Sequence, residues 1–251
     1  MGQSRRLSGR CRAGMIPLLA ALTGLTAAGA DAVTVGGDIT GVTDYIFRGV
    51  SQNDGRAAAQ FDVHVGANNG LFAGLWTSTL NSREPRADFE VEAYAGKRFQ
   101  LSSAWSATVS AVDYFYLERE ATPSDDYQEL SVAISYLDSW NLSVSASPNA
   151  VHYWRGFRLG RYAAYDADVT TQWPLFGPVY LTAGAGYYYL SGFSLPQWGT
   201  QGYLYGNAGL AVERKAWRLD VGYYVADSQA QNLFPYSTSN DRVAATLSWR
   251  F

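Results

Sequence analysis

The chain has 251 residues, of which 47% are hydrophobic and 16% charged, and its formal net charge is −3. Its one cysteine, Cys11, excludes a disulfide framework, and no run of basic residues supports nucleic-acid binding. In residues 1–32, arginines precede an uncharged apolar stretch, and Ala30 and Ala32 form a small-x-small site. This pattern predicts a cleaved secretory signal peptide at 1–32 and a mature domain at 33–251.

The mature domain divides into about twelve segments in which apolar and polar residues alternate, and this period of two predicts β-strands. The alternation is clearest at 60–67, 88–95, 129–136, 165–173 and 217–225. Both faces carry apolar or aromatic residues at 71–80, 105–117, 142–153 and 179–190, so the facing of those strands stays open. No apolar stretch is long enough for a helical membrane span, whereas tilted strands of about 9–11 residues suffice.

Long polar connections alternate with short turns along the chain. The long ones are predicted at 48–57, 81–86, 118–126, 154–161, 191–202 and 228–240, and the short ones at 68–70, 97–104, 137–141, 174–178 and 213–215. Outer-membrane barrels have this alternation, with long outer loops and short periplasmic turns. The sequence therefore predicts an all-β fold, a transmembrane antiparallel up-and-down β-barrel of about 12 strands with both termini periplasmic.

Aromatic residues gather near the predicted strand ends, as expected of rings at the two membrane–water interfaces. One predicted band, beside the short turns, comprises Trp105, Trp140, Trp173, Trp217 and Trp249. The other, beside the long connections, comprises Tyr45, Phe47, Tyr127, Tyr153, Tyr162, Tyr189 and Tyr203.

Residues 243–251 form the strand that closes the predicted barrel. Its apolar face includes Val243, Leu247, Trp249 and Phe251. A terminal aromatic residue is typical of strands handled by the outer-membrane barrel-assembly machinery. Unpaired backbone groups cost several kcal/mol in hydrocarbon, so a membrane barrel has no open edge. We therefore expect this strand to pair with the first one, predicted at 35–47.

Stretches in the first part of the mature domain carry a family signature. They read VTDYIFRGVSQ at 42–52, GLWTS at 74–78 and DFEVE at 88–92. Over 42–96 the chain resembles the TorF-type porins, a proteobacterial family of outer-membrane barrels, and YQE at 127–129 is similar to that family's acidic strand start. The resemblance implies the architecture more than it implies an activity.

The first signature suits a barrel rim. Tyr45 and Phe47 are expected to face outward at the interface, while Asp44 and Arg48 share the inner face and mark the pore mouth. Gly49 allows a turn that a Cβ would resist. The alternative is a well-formed turn with no transport role.

Ionisable residues on the polar strand faces are predicted to line the lumen, because a charge facing lipid costs about 2–4 kcal/mol near the midplane. The predicted pore-lining residues are Asp44, Arg48, Asp62, His64, Asp88, Glu90, Glu92, Glu129, Asp166, Asp168, Arg218, Asp220, Arg242 and Arg250, and Asp38 shares their face. Acids outnumber bases, which predicts weak cation preference. The alternative is that these charges pair across strands and fill the bore.

These features predict a passive diffusion channel for small polar solutes, embedded in outer-membrane lipid and without a cofactor. An adhesion or structural barrel is one alternative, because the loop segments 195–198 and 232–236 are apolar enough to bind a partner or to fold inward. An outer-membrane hydrolase is the other. Its support is weaker, since His64 and His152 are the only histidines, no serine lies in a G-x-S-x-G motif and no Cys/His cluster suggests a metal site. We therefore expect no enzyme activity, and the oligomeric state stays open.

Overall fold

The computed structural model describes residues 33–80, 87–117, 125–154, 157–191, 201–234 and 241–251, and the predicted signal peptide at 1–32 lies outside them. The elements of these residues are β1 (Val33–Val42), β2 (Ile46–Phe47), β3 (Val50–Ser51), β4 (Ala58–Ala67), β5 (Leu71–Thr79), β6 (Phe89–Gln100), β7 (Trp105–Leu117), β8 (Tyr127–Tyr136), β9 (Trp140–Trp154), β10 (Phe157–Phe176), β11 (Val179–Leu190), β12 (Gly202–Arg214), β13 (Trp217–Ala226), α1 (Gln229–Leu233) and β14 (Arg242–Arg250). Within this part of the chain, no helix is both long and apolar enough to cross a membrane.

Twelve strands close into an antiparallel barrel, with β1 hydrogen-bonded to both β4 and β14. The closing register places Asp38 opposite Arg250. Phe251 extends this register, because its backbone N–H and C=O both bond to Gly37, at 3.1 and 3.2 Å. The predicted up-and-down barrel, closed by the last strand against the first, is confirmed. The first strand ends at Val42 rather than at residue 47.

Side chains alternate along the strands between an exposed outer face and a largely buried inner face. The outer face is apolar, with Ile39 and Leu130 among its exposed residues. In the strands whose facing the sequence left open, the inner face carries rings: Trp76, Tyr114 and Tyr188 are all buried. Their alternation is blurred because the lumen holds aromatic residues as well as charges.

A belt of outward aromatic side chains marks the end of the barrel that carries the short turns, called here the short-turn end. The side chains of this belt are between 38% and 52% exposed; they are Trp105, Tyr136, Trp140, Trp173, Trp217, Trp249 and Phe251. Adjacent rings touch, with centroids 4.8 Å apart for Trp105 and Tyr136 and 5.5 Å apart for Trp140 and Trp173. The predicted tryptophan band is therefore present, and the other apolar residues of the closing strand, Val243 and Leu247, are exposed on the same outer face.

The second predicted band, at the opposite or long-loop end, is wrong for most of its members. Tyr127 stacks on Tyr114 inside the barrel, with centroids 4.2 Å apart, and Tyr203 is 1% exposed. Position near a strand end does not determine the face; Tyr127 shares the inward parity of Glu129. Tyr45 and Phe47 also lie inside, against Trp76 and Tyr114. Of the other three members, Tyr189 is exposed, Tyr162 is half-buried against His152, and the side chain of Tyr153 lies outside the described residues.

The connections alternate largely as predicted, with short turns at 68–70, 101–104, 137–139, 177–178 and 215–216. The long loop predicted at 154–161 is wrong, because β9 and β10 pair as far as Trp154 and Phe157. Glycine and arginine suggested a loop there, but register shifts near Gly160 and Ala164 let the ladder continue past them. Both termini of the barrel lie at the short-turn end.

Candidate functional site

The segment after β1 leaves the wall and forms a small hairpin inside the barrel, the lumen hairpin, made of β2 and β3. Ile46 pairs with Ser51 and Phe47 with Val50. Arg48 and Gly49 form the two-residue turn with φ of 49° and 75°, the positive pair that a tight hairpin turn requires. A Cβ on Gly49 would lie 2.7 Å from the Tyr205 Cβ and 2.9 Å from a backbone oxygen.

The prediction that Tyr45 and Phe47 face outward is wrong. Tyr45 is buried against Trp76, with ring centroids 5.5 Å apart, and Phe47 lies 6.4 Å from Tyr114. The prediction continued the alternation of β1 through residue 47. The chain turns into the barrel after Val42, so the alternation of β1 no longer tells which way the following side chains face.

Both sides of the lumen hairpin are anchored. At its base, Asp44 accepts hydrogen bonds from Ser51 Oγ and from Arg242 Nη1, each at 2.5 Å. Val50, 1% exposed, packs into a cluster with Tyr188 and Leu233 on the far side. Leu233 belongs to α1 and packs against the lumen hairpin, so the described part of the apolar segment 232–236 folds inward. The other apolar segment, 195–198, lies outside the described residues.

Arg48 spans the lumen. In the ring of strands, β9 is six places from β1 in either direction, so β8, β9 and β10 form the opposite wall. Arg48 Nη2 donates to Glu129 Oε2 at 2.8 Å and to Ser145 Oγ at 3.0 Å, and Nε lies 3.2 Å from Asp166 Oδ1. The guanidinium also lies 5.3 Å from the ring centroid of Tyr188. Its carboxylate partners are at most 5% exposed, which makes this a desolvated ion pair.

A wall of acidic side chains adjoins this contact. Asp62 is held by His64 Nδ1 and by the Tyr94 hydroxyl, each at 2.5 Å. Glu90 accepts a hydrogen bond from the hydroxyl of Tyr116 at 3.1 Å. Glu92 is 1% exposed, and its Oε2 has no hydrogen-bond partner among the described residues.

A second ionic layer lies near the short-turn end. Arg218, 2% exposed, donates from Nη2 to Asp220 at 2.6 Å and from Nη1 to Glu213 at 3.3 Å. Arg250 donates to the other oxygen of Glu213 at 2.7 Å. The sequence prediction missed Glu213, which it placed in a turn. The inward parity that Glu213 shares with Tyr205 would have indicated it.

The remaining predicted site residues are more scattered. Asp168 bonds to the Ser143 hydroxyl on the inner face, and Asp38 accepts from Thr40 Oγ1 at 3.0 Å. Asp88 lies half-buried just before β6, at the long-loop rim. Thus the structure joins Arg48, Glu129 and Asp166 in one contact, while the other ionisable residues form separate groups around the wall.

Comparison with known proteins places this geometry in context. Residues 26–249 match a bacterial protein family of unknown function, designated Gcw_chp. The chain belongs to this family. No curated protein matches it. The chain has the fold of the NanC porin, at 11% identity and a TM-score of 0.57 over 84% of this chain and 97% of NanC. It is also similar to the KdgM porin in complex with disordered oligogalacturonate, at 10% identity and a TM-score of 0.50 over 87% of this chain and 99% of that one.

The two structural matches show a shared barrel fold. In this Gcw_chp barrel, no group of three or more His, Cys, Asp or Glu side chains within the described ranges is arranged to hold a metal ion. The described residues place fixed charges along the lumen. Arg48 supplies a buried cation at its centre, and carboxylates without basic partners flank it.

Proposed function

We propose that this Gcw_chp barrel is a porin-type channel of the bacterial outer membrane, which passes small polar solutes and is constricted by the lumen hairpin. The observation that carries the proposal is the contact of Arg48 with Glu129 and Asp166 across the full width of the barrel. A charged loop folded into a barrel narrows the aqueous path and places charge at its narrowest point.

The charge of the lumen favours cations over anions. The four arginines of the predicted lumen set are paired with carboxylates, whereas Glu90, Glu92 and Asp168 have no ion pair with a base among the described residues. Carboxylates that line a pore attract cations. We therefore propose weak cation preference. The oligogalacturonate named with the KdgM porin is polyanionic, and this acidic lumen favours neutral or cationic solutes instead.

Placement in the outer membrane is supported by the apolar outer face, the aromatic belt and the fold shared with the NanC porin. The resemblance to the TorF-type porins over 42–96 supports the same placement. With this placement we propose periplasmic termini, export directed by residues 1–32, and insertion by the barrel-assembly machinery through the closing strand.

Planar-bilayer recording of the refolded mature chain tests the proposal. We expect discrete conductance steps and, in a potassium chloride gradient, a reversal potential whose sign reports modest cation selectivity. Clear anion selectivity would contradict the charge argument. A silent bilayer, with native-like barrel confirmed by heat-modifiable gel migration, would contradict the channel itself.

One observation favours a second candidate, a structural barrel closed by its own hairpin. Arg48, Glu92 and Tyr114 are between 0% and 5% exposed, so the lumen hairpin packs tightly at this depth. If the intact barrel is silent but a chain with residues 44–52 replaced by a Gly/Ser linker conducts, the hairpin is a permanent plug. The expectation of no enzyme activity stays a prediction, and lipid-ester turnover that is lost in His64→Ala would contradict it.

A further inference from the structure

The outer face of the barrel has a groove of about 920 Å³ on the side formed by β4 to β9. Its floor consists of small side chains, Ala73, Ala93, Ala95 and Ala111. Its borders are larger apolar residues that include Val63 and Leu75 on one side and Leu130 and Pro148 on the other. Small residues in this arrangement let a second backbone approach closely within a membrane.

A row of polar side chains crosses three strands at the edge of this groove, and we call it the outer ladder. Asp113 Oδ1 accepts a hydrogen bond from Gln128 Nε2 at 2.6 Å, and Gln128 Oε1 accepts one from Asn149 Nδ2 at 2.7 Å. The Gln128 backbone N–H also donates to Asn149 Oδ1 at 3.0 Å. Asp113 and Gln128 have the outward parity of their strands, and Asn149 joins them because the register of β9 against β10 shifts between Ser147 and Ala150.

The outer ladder lies within the apolar band rather than beyond it. Asp113 follows Trp105 of the aromatic belt by about 26 Å along a tilted strand, which corresponds to about 20 Å of membrane depth in a band about 25 Å tall. Farther along the same strand, Phe115 and Leu117 are again apolar and exposed on the outer face. Arg161 Nη1 donates to the backbone oxygen of Asn149 at 3.2 Å, beside the ladder on β10. Lipid tails offer no hydrogen bonds, so the remaining side-chain donors and acceptors of the ladder are stabilised by a polar partner.

The unused capacity of the outer ladder is complementary to itself. Asp113 Oδ2 accepts no hydrogen bond within the described residues, and the side-chain amides of Gln128 and Asn149 each keep one N–H beyond their contacts in the ladder. A two-fold axis beside Gln128 would bring the second carboxylate oxygen of Asp113 in each copy to the remaining amide hydrogens of the other. Donors and acceptors then balance, as an isologous interface requires.

We propose that the alanine groove and the outer ladder form the interface between two copies of this chain in the membrane. The alanine floor receives the apolar border of the second barrel, and the outer ladders pair across the axis. Acyl chains alone would fill the groove but would leave the free oxygen of Asp113 without a donor. This association is independent of whether the lumen conducts.

Single-cysteine crosslinking in lipid bilayers tests the interface, because the mature chain has no cysteine of its own. Ala111 lies in the groove, and Ala208 is an exposed outward alanine on the far side of the barrel, on β12. We expect a disulfide-linked dimer from Ala111→Cys and only background from Ala208→Cys. Equal crosslinking at the two positions would overturn the proposal.

A second measurement compares the dimer dissociation constant of variants in a mild detergent. Asp113→Leu removes a carboxylate from an outward position that faces lipid, so we expect the barrel to fold and the dimer to weaken by about tenfold through the loss of hydrogen bonds across the interface. Tyr223→Phe removes a different outward hydrogen bond, to Asp241, and should leave the constant unchanged. A wild-type chain that stays monomeric at all concentrations, with or without retained lipid, would refute the interface.

Discussion

Replacing Arg48 with methionine should release the lumen hairpin from the far wall. The substitution keeps the apolar stem but removes the guanidinium that meets Glu129 and Asp166. Deleting one partner of a buried ion pair costs about 3–5 kcal/mol. Because these side chains are at most 6% exposed, solvent does not reduce this figure appreciably. The balance between seated and displaced hairpin should therefore shift by about 100-fold to 4,000-fold.

Single-channel recording measures this shift directly. We expect Arg48→Met to have a larger open fraction and stronger cation selectivity, because a cation leaves the lumen while two carboxylates stay. Arg98→Met is the matched control. Arg98 pairs with Asp138 at the short-turn end, where both side chains are more than 40% exposed and the pair contributes little. Identical conductance and reversal potential in the two variants would refute the assigned role of Arg48.

Three further outcomes follow from the same contacts. Gly49→Ala should also unseat the hairpin and raise the open fraction, since its Cβ would lie 2.7 Å from a neighbouring side chain at positive φ; Gly41→Ala, with no atom within 4 Å, should behave as wild type in the same recordings. Glu92→Gln should leave the free energy of unfolding in urea unchanged or higher, because it removes an unpaired buried carboxylate, whereas Glu129→Gln should lower it by breaking a buried pair; the reverse order would contradict the charge assignment. Mass spectrometry of the exported protein should find a chain that begins at Val33, and a retained leader would contradict the cleavage prediction.

The barrel was predictable because lipid imposes a simple rule on outward residues. Apolar residues such as Leu130 and Val243 recur at every second position of their strands, where they face lipid, and this period is visible in the sequence. The tryptophan belt follows from the same rule, since Trp105 and Trp173 lie both at strand ends and on the outer face. Where the inner face is also apolar, as around Trp76, the period is lost and only the folded barrel shows the facing.

The lumen hairpin was not predictable in the same way. Its residues were correctly singled out, and the turn at Gly49 has the positive φ expected of it. Their location depends on contacts far along the chain, such as that of Arg48 with Asp166, which no local pattern records. The alternation of β1, continued past its end, predicted an outward Tyr45. The backbone turns inward after Val42, and nothing in the apolar pattern marks that position.

The join between β1 and β14 sets the order in which this protein can mature. These strands come from opposite ends of the polypeptide, about 200 residues apart, so bringing them together costs about 5 kcal/mol of chain entropy plus a constant. The barrel cannot close until β14 has been synthesised, and until then the edges of β1 and β14 expose unpaired backbone groups that can pair with other chains. We therefore expect closure to be slow, and the open sheet to be prone to aggregation, unless a catalyst holds the edge strands β1 and β14 together.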